Sequence, residues 1–259
     1  MPEVDAAGCR LFSVADGPED APALLLSNGL GTRLDLWDAQ IARLRRSFRV
    51  IRYDTRGHGR SEAPAGPYRL ERLGRDALAV LDAAGAGRAH VCGLSLGGLT
   101  ALWLGVHAPE RVGRLVVANS AARIGTASSW DARIREARDG GMASLADAAI
   151  GRWFTPGFRE RDPARVQAFR AGFAACAVEG YAGCCAALRD ADLSGEVGAI
   201  RAATLVIAGT HDAATTLAAG ESLRRSIPGA RLAALPAAHL SNVEAAEAFT
   251  SAVADFLSA

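Results

Sequence analysis

The chain has 259 residues, half of them hydrophobic, which is enough for one large α/β domain or for a core with a modest insertion. Its formal net charge is +1 and all 29 basic residues are arginine, so the composition favours neither a nucleic-acid surface nor a polybasic membrane patch. The opening segment Met1–Asp5 has neither the basic nor the apolar region of a secretory signal, so we expect a cytoplasmic protein.

Strand-like and helical patterns alternate from the start of the chain to about residue 120. This alternation is typical of a mostly parallel sheet covered by helices on both faces. The predicted strands are Arg10–Val14, Ala23–Ser27, Arg49–Tyr53, His90–Cys92 and Arg114–Ala118, and the predicted helices are Leu36–Ser47, Leu70–Ala84 and Gly97–His107.

The segment that follows has helical periodicity and no convincing strand. Its predicted helices are Trp130–Asp139, Met142–Phe154, Pro163–Ala175 and Gly180–Asp190. The sheet pattern then resumes with strands Thr204–Ile207 and Arg231–Leu235 and with helices Ala218–Ser226 and Val243–Leu257. We therefore predict a core made of residues 1–120 and 192–259, and a helical cap of residues 121–191 over the carboxyl ends of the strands.

Cysteine usage and hydropathy argue against a metal site and against a membrane segment. The five cysteines are odd in number and lack C-x-x-C spacing, which argues against a disulfide framework or a zinc site. The uncharged stretch Val91–Val106 is shorter than the ~18 apolar residues that a membrane span needs, and it contains a glycine-rich turn. A buried strand followed by a buried helix is the better interpretation.

That turn, Gly93–Gly97, fits the G-x-S-x-G nucleophile elbow with the strand and helix that the pattern requires. A serine at a strand-to-helix turn projects its hydroxyl at the carboxyl edge of the sheet, and the flanking glycines relieve crowding. Ser95 is therefore the predicted nucleophile, with a structural loop as the alternative.

A serine hydroxyl needs a base, and the chain offers five histidines. His239 follows the last strand and precedes the C-terminal helix, which places it at the carboxyl edge, whereas His58 lies in a glycine-rich turn near that edge. Asp212 follows the preceding strand and is the predicted acid, with a helix N-cap as its alternative role. The chain order Ser95, Asp212, His239 is that of the α/β hydrolases.

An oxyanion hole needs two preorganised N–H donors. The backbone N–H of Leu96, directly after the nucleophile, is the first candidate. The second is the N–H of Leu30, which has a glycine on each side in the loop Ser27–Thr32.

Several longer motifs resemble the 3-oxoadipate enol-lactonases of the α/β-hydrolase superfamily, and the similarity runs nearly end to end. They are Ser27–Thr32, Arg52–Pro64, Asn119–Gly125, Arg152–Thr155, Glu179–Tyr181, Gly209–Asp212 and His239–Asn242. The motifs within the predicted cap are the more selective ones. The chain departs from the family at Gly29, Leu96, Ser120 and Thr216, none of which supplies a catalytic side chain.

The resemblance implies an α/β-hydrolase fold with an eight-stranded sheet and an inserted helical cap. It implies hydrolysis of the ring ester of 3-oxoadipate enol-lactone to 3-oxoadipate in aromatic degradation, with neither metal nor organic cofactor. A substrate that carries a carboxylate calls for a cation or polar donors in the pocket. Candidates for substrate binding are Arg133, Arg152 and Arg123, with Trp130 and Trp153 as walls. The expected partner is this small molecule, and we expect binding neither to nucleic acid nor to a membrane. Whether the chain forms a homo-oligomer is left open.

Two alternatives remain at this point. The first is another serine hydrolase of the same fold, acting on a different ester, a thioester or a C–C bond, or as a cofactor-free perhydrolase. The second is a ligand-binding receptor on a hydrolase scaffold, which the complete set of serine, histidine and aspartate disfavours.

Overall fold

Eight strands form one sheet in residues 3–259, the part of the chain that the computed structural model describes. They are β1 (Glu3–Asp5), β2 (Arg10–Asp16), β3 (Ala23–Ser27), β4 (Arg49–Tyr53), β5 (Ala89–Leu94), β6 (Val112–Ala118), β7 (Thr204–Gly209) and β8 (Arg231–Leu235). Met1 and Pro2, which belong to the segment inspected for a secretory signal, lie outside the described residues.

The strand order is β1-β2-β4-β3-β5-β6-β7-β8, with β1 and β2 antiparallel to their neighbours and the other strands parallel. The mostly parallel eight-stranded sheet predicted from the sequence is therefore confirmed. Strands β5 and β7 are buried almost throughout, as expected of central parallel strands covered on both faces. The short β1 had no predicted counterpart.

Helices pack against the strands of the sheet. In the core they are α1 (Asp38–Leu44), α2 (Leu70–Ala83), α3 (Leu96–His107), α8 (Leu217–Ser226), α9 (Ser241–Glu244) and α10 (Ala246–Ser258). Helix α1 packs on α10, and α2 packs on α3. The single helix predicted at Val243–Leu257 is in fact α9 and α10, which are separated at Ala245.

Four helices lie between β6 and β7 in the chain, and we call them the cap: α4 (Ala127–Trp153), α5 (Pro156–Arg161), α6 (Pro163–Ala174) and α7 (Val178–Asp190). Helix α4 contacts both α6 and α7. It is interrupted at Gly141, where φ is 70°, so its two halves correspond to the two helices predicted there. No single helix in residues 3–259 is long and apolar enough to cross a membrane, and α6 with α7 would reach that length only as a pair bent by 92°.

Candidate active site

Ser95 lies on a strained turn between β5 and α3. Its φ is 57°, in a region that few residues other than glycine adopt. A Cβ atom at Gly93 would clash with the carbonyl oxygen of Gly97, and one at Gly97 would clash with that of Ser27. Both glycines are therefore required by close backbone packing, and the turn presents Ser95 at the carboxyl edge of the sheet.

Three predicted residues from distant parts of the chain meet at this edge. The Ser95 hydroxyl lies 2.9 Å from Nε2 of His239, and Nδ1 of the same ring lies 2.8 Å from Oδ2 of Asp212. Because a carboxylate only accepts, Nδ1 carries the proton and Nε2 is left to accept from the serine. All three side chains are buried. The arrangement can move a proton from the serine hydroxyl to a histidine whose ring is held in place.

Asp212 is held by five hydrogen bonds. Its Oδ1 accepts from the backbone N–H groups of Ala214 and Thr215, and its Oδ2 accepts from His239, Thr215 Oγ1 and Asn119 Nδ2 at 2.7–3.0 Å. Burial would raise the pKa of Asp212, but the hydrogen bonds from His239, Asn119 and Thr215 outweigh burial and lower it to about 2. The N-cap of α8 is Thr216, so Asp212 does not have the alternative capping role.

Asn119 takes part in this network, and the sequence analysis gave it no role. It follows β6 with a φ of 44°, in the left-handed region where asparagine is favoured over most other residues. Its amide donates to Asp212 and to the carbonyl of Ala238, and its Oδ1 accepts from the hydroxyl of Ser241. One side chain thus links the carboxyl ends of β6, β7 and β8. The feature of the sequence that could have indicated Asn119 is its position directly after the buried strand β6.

The two predicted oxyanion-hole residues lie next to Ser95. Leu96 is the first residue of α3, so its N–H has no acceptor within the helix. Leu30 lines the same cavity as Ser95 and His239. The carbonyl of Gly29 accepts two hydrogen bonds from Thr32, which fixes the loop on the N-terminal side of Leu30.

Ser95 and His239 open into a cavity of about 170 Å³ between the sheet edge and the cap. Aromatic rings form much of its wall. Trp130 donates its indole N–H to the carbonyl of Ile124, while Trp153 packs edge-to-face on Phe173 with ring centroids 5.4 Å apart. Both predicted tryptophan walls therefore border the cavity, together with Phe173 and Tyr181.

Two of the three predicted arginines border the same cavity. Arg133 lies over the Trp130 ring, its Cζ 4.7 Å from the ring centroid, and Arg152 lines the same cavity. Burial and the positive charge of Arg133 both lower the pKa of Arg152. Neither arginine is paired with a carboxylate in residues 3–259. Glu136 offsets part of the charge of Arg152 through space, but the cavity wall as a whole carries two cations that no bonded carboxylate neutralises.

Arg123 does not reach the cavity. Its side chain is exposed and forms an ion pair with Asp192 at 3.3 Å. The expectation that Arg123 contributes to substrate binding is thus corrected, because the chain directs this residue outward where it enters the cap. Two other histidines also lie away from Ser95: His90 accepts from the Arg114 amide, and His107 lies 3.2 Å from Glu196.

The chain resembles known proteins over nearly its full length. It is 47% identical over 237 residues to 3-oxoadipate enol-lactonase 2 of Acinetobacter baylyi, covering 92% of this chain and 89% of that protein. 3-oxoadipate enol-lactonase 1 of the same organism is 40% identical over 250 residues, covering 96% and 94%. The chain belongs to the enol-lactonase family of α/β hydrolases.

Two further comparisons agree with this assignment. The family model described as the alpha/beta hydrolase fold matches residues 22–149. The crystal structure of the enol-lactonase from Burkholderia xenovorans LB400 superposes with a TM-score of 0.99 at 46% identity, and all of both chains are covered. The enol-lactonase family fold predicted from the sequence is thus confirmed, and the chain is a carboxylic ester hydrolase.

Proposed function

We propose that this enzyme hydrolyses the ring ester of 3-oxoadipate enol-lactone to 3-oxoadipate, as a step in the degradation of aromatic compounds through protocatechuate or catechol. The observation that carries the proposal is the hydrogen-bonded series Ser95, His239 and Asp212. Its serine faces a cavity that is also lined by two arginines without an ion-pair partner in residues 3–259. The names of the relatives supply the substrate class.

In the proposed acylation, Ser95 Oγ attacks the lactone carbonyl while His239 Nε2 takes the hydroxyl proton. The backbone N–H groups of Leu30 and Leu96 stabilise the oxyanion, and losing one such donor typically costs about 3 kcal/mol. The ring C–O bond then breaks, and His239 returns the proton to the leaving enol oxygen. Because the enol is part of the same molecule, the opened chain stays attached to Ser95 as the acyl-enzyme.

In the proposed deacylation, a water molecule attacks the acyl carbon and gives its proton to His239. Ser95 leaves with that proton, and the enol tautomerises to the ketone. The sum is one lactone and one water converted to 3-oxoadipate. Asp212 keeps the ring of His239 in the required tautomer and stabilises the imidazolium, and it need not take a proton itself.

The positive charge of Arg133 and Arg152 in the cavity wall suits the carboxylate of this substrate. An anion between them would relieve their mutual repulsion and would accept charge-assisted hydrogen bonds from planar guanidinium groups. Trp130 and Trp153 would confine the flat lactone ring. We propose that the carboxylate binds at this arginine pair while the ring ester faces Ser95.

The decisive experiment is hydrolysis of freshly generated enol-lactone, followed by loss of its ultraviolet absorbance, beside hydrolysis of p-nitrophenyl acetate. We expect fast lactone turnover, a far slower ester rate, and loss of both in Ser95→Ala with the fold intact by circular dichroism. Hydrolysis of p-nitrophenyl acetate without hydrolysis of the enol-lactone would support a serine hydrolase but refute the proposed substrate. Wild-type rates in Ser95→Ala would refute the mechanism in which Ser95 is the nucleophile.

A further inference from the structure

His58 is a buried histidine that the proposed mechanism does not use. It lies in the turn after β4, and its ring is held between two backbone groups. Its Nε2 lies 2.9 Å from the N–H of Gly31, and its Nδ1 lies 3.1 Å from the carbonyl oxygen of Arg56. A carbonyl can only accept, so Nδ1 carries the proton and Nε2 accepts from Gly31.

The donor of that hydrogen bond matters because Gly31 directly follows Leu30, the proposed oxyanion donor. Two peptide planes meet at Leu30, and each is fixed by a hydrogen bond on one side. Thr32 holds the carbonyl of Gly29, and since a trans peptide directs its N–H opposite to its C=O, this contact aims the Leu30 N–H. His58 holds the next plane through the Gly31 N–H.

The remaining anchors of this loop lie farther from Leu30. Asn28 donates to the carbonyl of Tyr53, and the N–H of Leu34 donates to Asp54. On the cap side, a Cβ atom at Gly31 would lie 2.6 Å from the Phe173 ring, so the loop is also packed from above. The His58 contact is thus the hydrogen bond that fixes the loop on the C-terminal side of Leu30.

Resting on the proposed function, we propose that His58 is a positioning residue for ester hydrolysis: by accepting the Gly31 N–H it holds the Leu30 amide where the oxyanion forms. Burial lowers the pKa of His58 to about 4, so the ring is neutral and Nε2 can accept at neutral pH. The effect falls on the transition state and not on substrate binding, because the bound ester has no oxyanion until the serine attacks its carbonyl.

A pair of amide substitutions separates the two contacts of the ring. In His58→Gln the amide oxygen can reach the place of Nε2 and accept from Gly31, whereas in His58→Asn the shorter amide reaches only the place of Nδ1. For p-nitrophenyl acetate we expect kcat to fall about 10- to 100-fold in His58→Asn, with KM within about twofold, because misplacing one donor costs part of its value. His58→Gln should recover kcat to within about threefold of wild type.

A second readout does not depend on turnover. An alkyl trifluoromethyl ketone forms a tetrahedral adduct with an active serine, and its oxyanion occupies the same hole. Its inhibition constant should rise in His58→Asn by the factor by which kcat/KM falls, and it should recover in His58→Gln. Thermal unfolding of both variants would show that each is folded at the assay temperature.

The outcomes are distinguishable. Equal losses in the two variants, or a loss expressed mainly in KM, would overturn the positioning role and leave His58 as a packing residue. So would wild-type kcat and ketone affinity in His58→Asn. If Ser95→Ala in the same assay kept its activity, the proposed function itself would fail, whereas an inactive Ser95→Ala beside a fully active His58→Asn removes only this inference.

Discussion

The carboxyl edge of the sheet and the cap wall that faces it hold their polar groups in opposite ways. At the sheet edge, the buried groups satisfy one another, and Asp212 alone accepts from Asn119, Thr215 and His239. In the cap wall, Arg133 and Arg152 line the cavity, and neither forms an ion pair with a carboxylate of residues 3–259. A satisfied network keeps its geometry whether or not a ligand is bound, while unpaired charge favours an anionic ligand. The difference suggests that catalysis depends on the edge and ligand choice on the cap.

The sheet edge should be the more sensitive region, and Asp212→Asn tests this directly. An amide cannot hold the His239 ring in the required tautomer, so we expect kcat to fall about 10³- to 10⁴-fold, with KM little changed. Asp192→Asn is the matched control, because that carboxylate is exposed and pairs with Arg123 at the surface. A kcat within tenfold of wild type in Asp212→Asn, in steady-state assays with the enol-lactone, would show that the network is not needed.

Buried neutral His58 makes the stability of the edge depend on pH. Its pKa is about 4 in the folded protein and near the ordinary 6.5 when unfolded, so between these values only the unfolded chain takes up the proton. The free energy of unfolding should therefore fall as the pH drops from 6.5 to 4. The shift corresponds to about 3 kcal/mol, at about 1.4 kcal/mol per pH unit.

The measurement is urea unfolding of wild type and His58→Gln at pH 7 and at pH 4. The variant should lose about 3 kcal/mol less than wild type over this interval. Groups shared by both proteins, such as His90 and Asp212, cancel in the difference. If both proteins lose the same free energy of unfolding, folding does not lower the pKa of His58.

The same contrast explains which features could be predicted from the sequence. Strands β3, β4 and β8 begin and end at the predicted residues, because each is a short run between turn signals. Ser95, Asp212 and His239 could be selected from the sequence because each lies in the turn after a predicted strand, in the chain order of the superfamily. Strand β1 and helix α5 were missed, since three and six residues give too short a pattern to detect.

Partners far apart in the chain could not be predicted. Asn119 and Asp212 are 93 residues apart, and Gly31 and His58 are 27 apart, so no local pattern joins them. The predicted substrate-binding arginines were placed correctly only in part, because Arg133 and Arg152 border the cavity and Arg123 does not. Helix α4 has charged residues on several faces and an interruption at Gly141, so its sequence does not show which side chains turn inward. Arg123 lies before α4, and only the packing of the cap shows that Arg133 and Arg152 border the cavity while Arg123 faces solvent.

The cap wall should therefore respond to substitution in binding and not in catalysis. Removing Arg133 deletes charge-assisted hydrogen bonds to a substrate carboxylate, each worth about 1.5–3 kcal/mol, so Arg133→Ala should raise KM for the enol-lactone about 10- to 100-fold. For p-nitrophenyl acetate, which has no carboxylate, KM and kcat should stay within about twofold. Arg135→Ala is the matched control, because that residue is exposed on the same helix. A rise confined to Arg152→Ala would assign the carboxylate to Arg152, and equal losses on both substrates would mean that the cap wall shapes the catalytic edge as well.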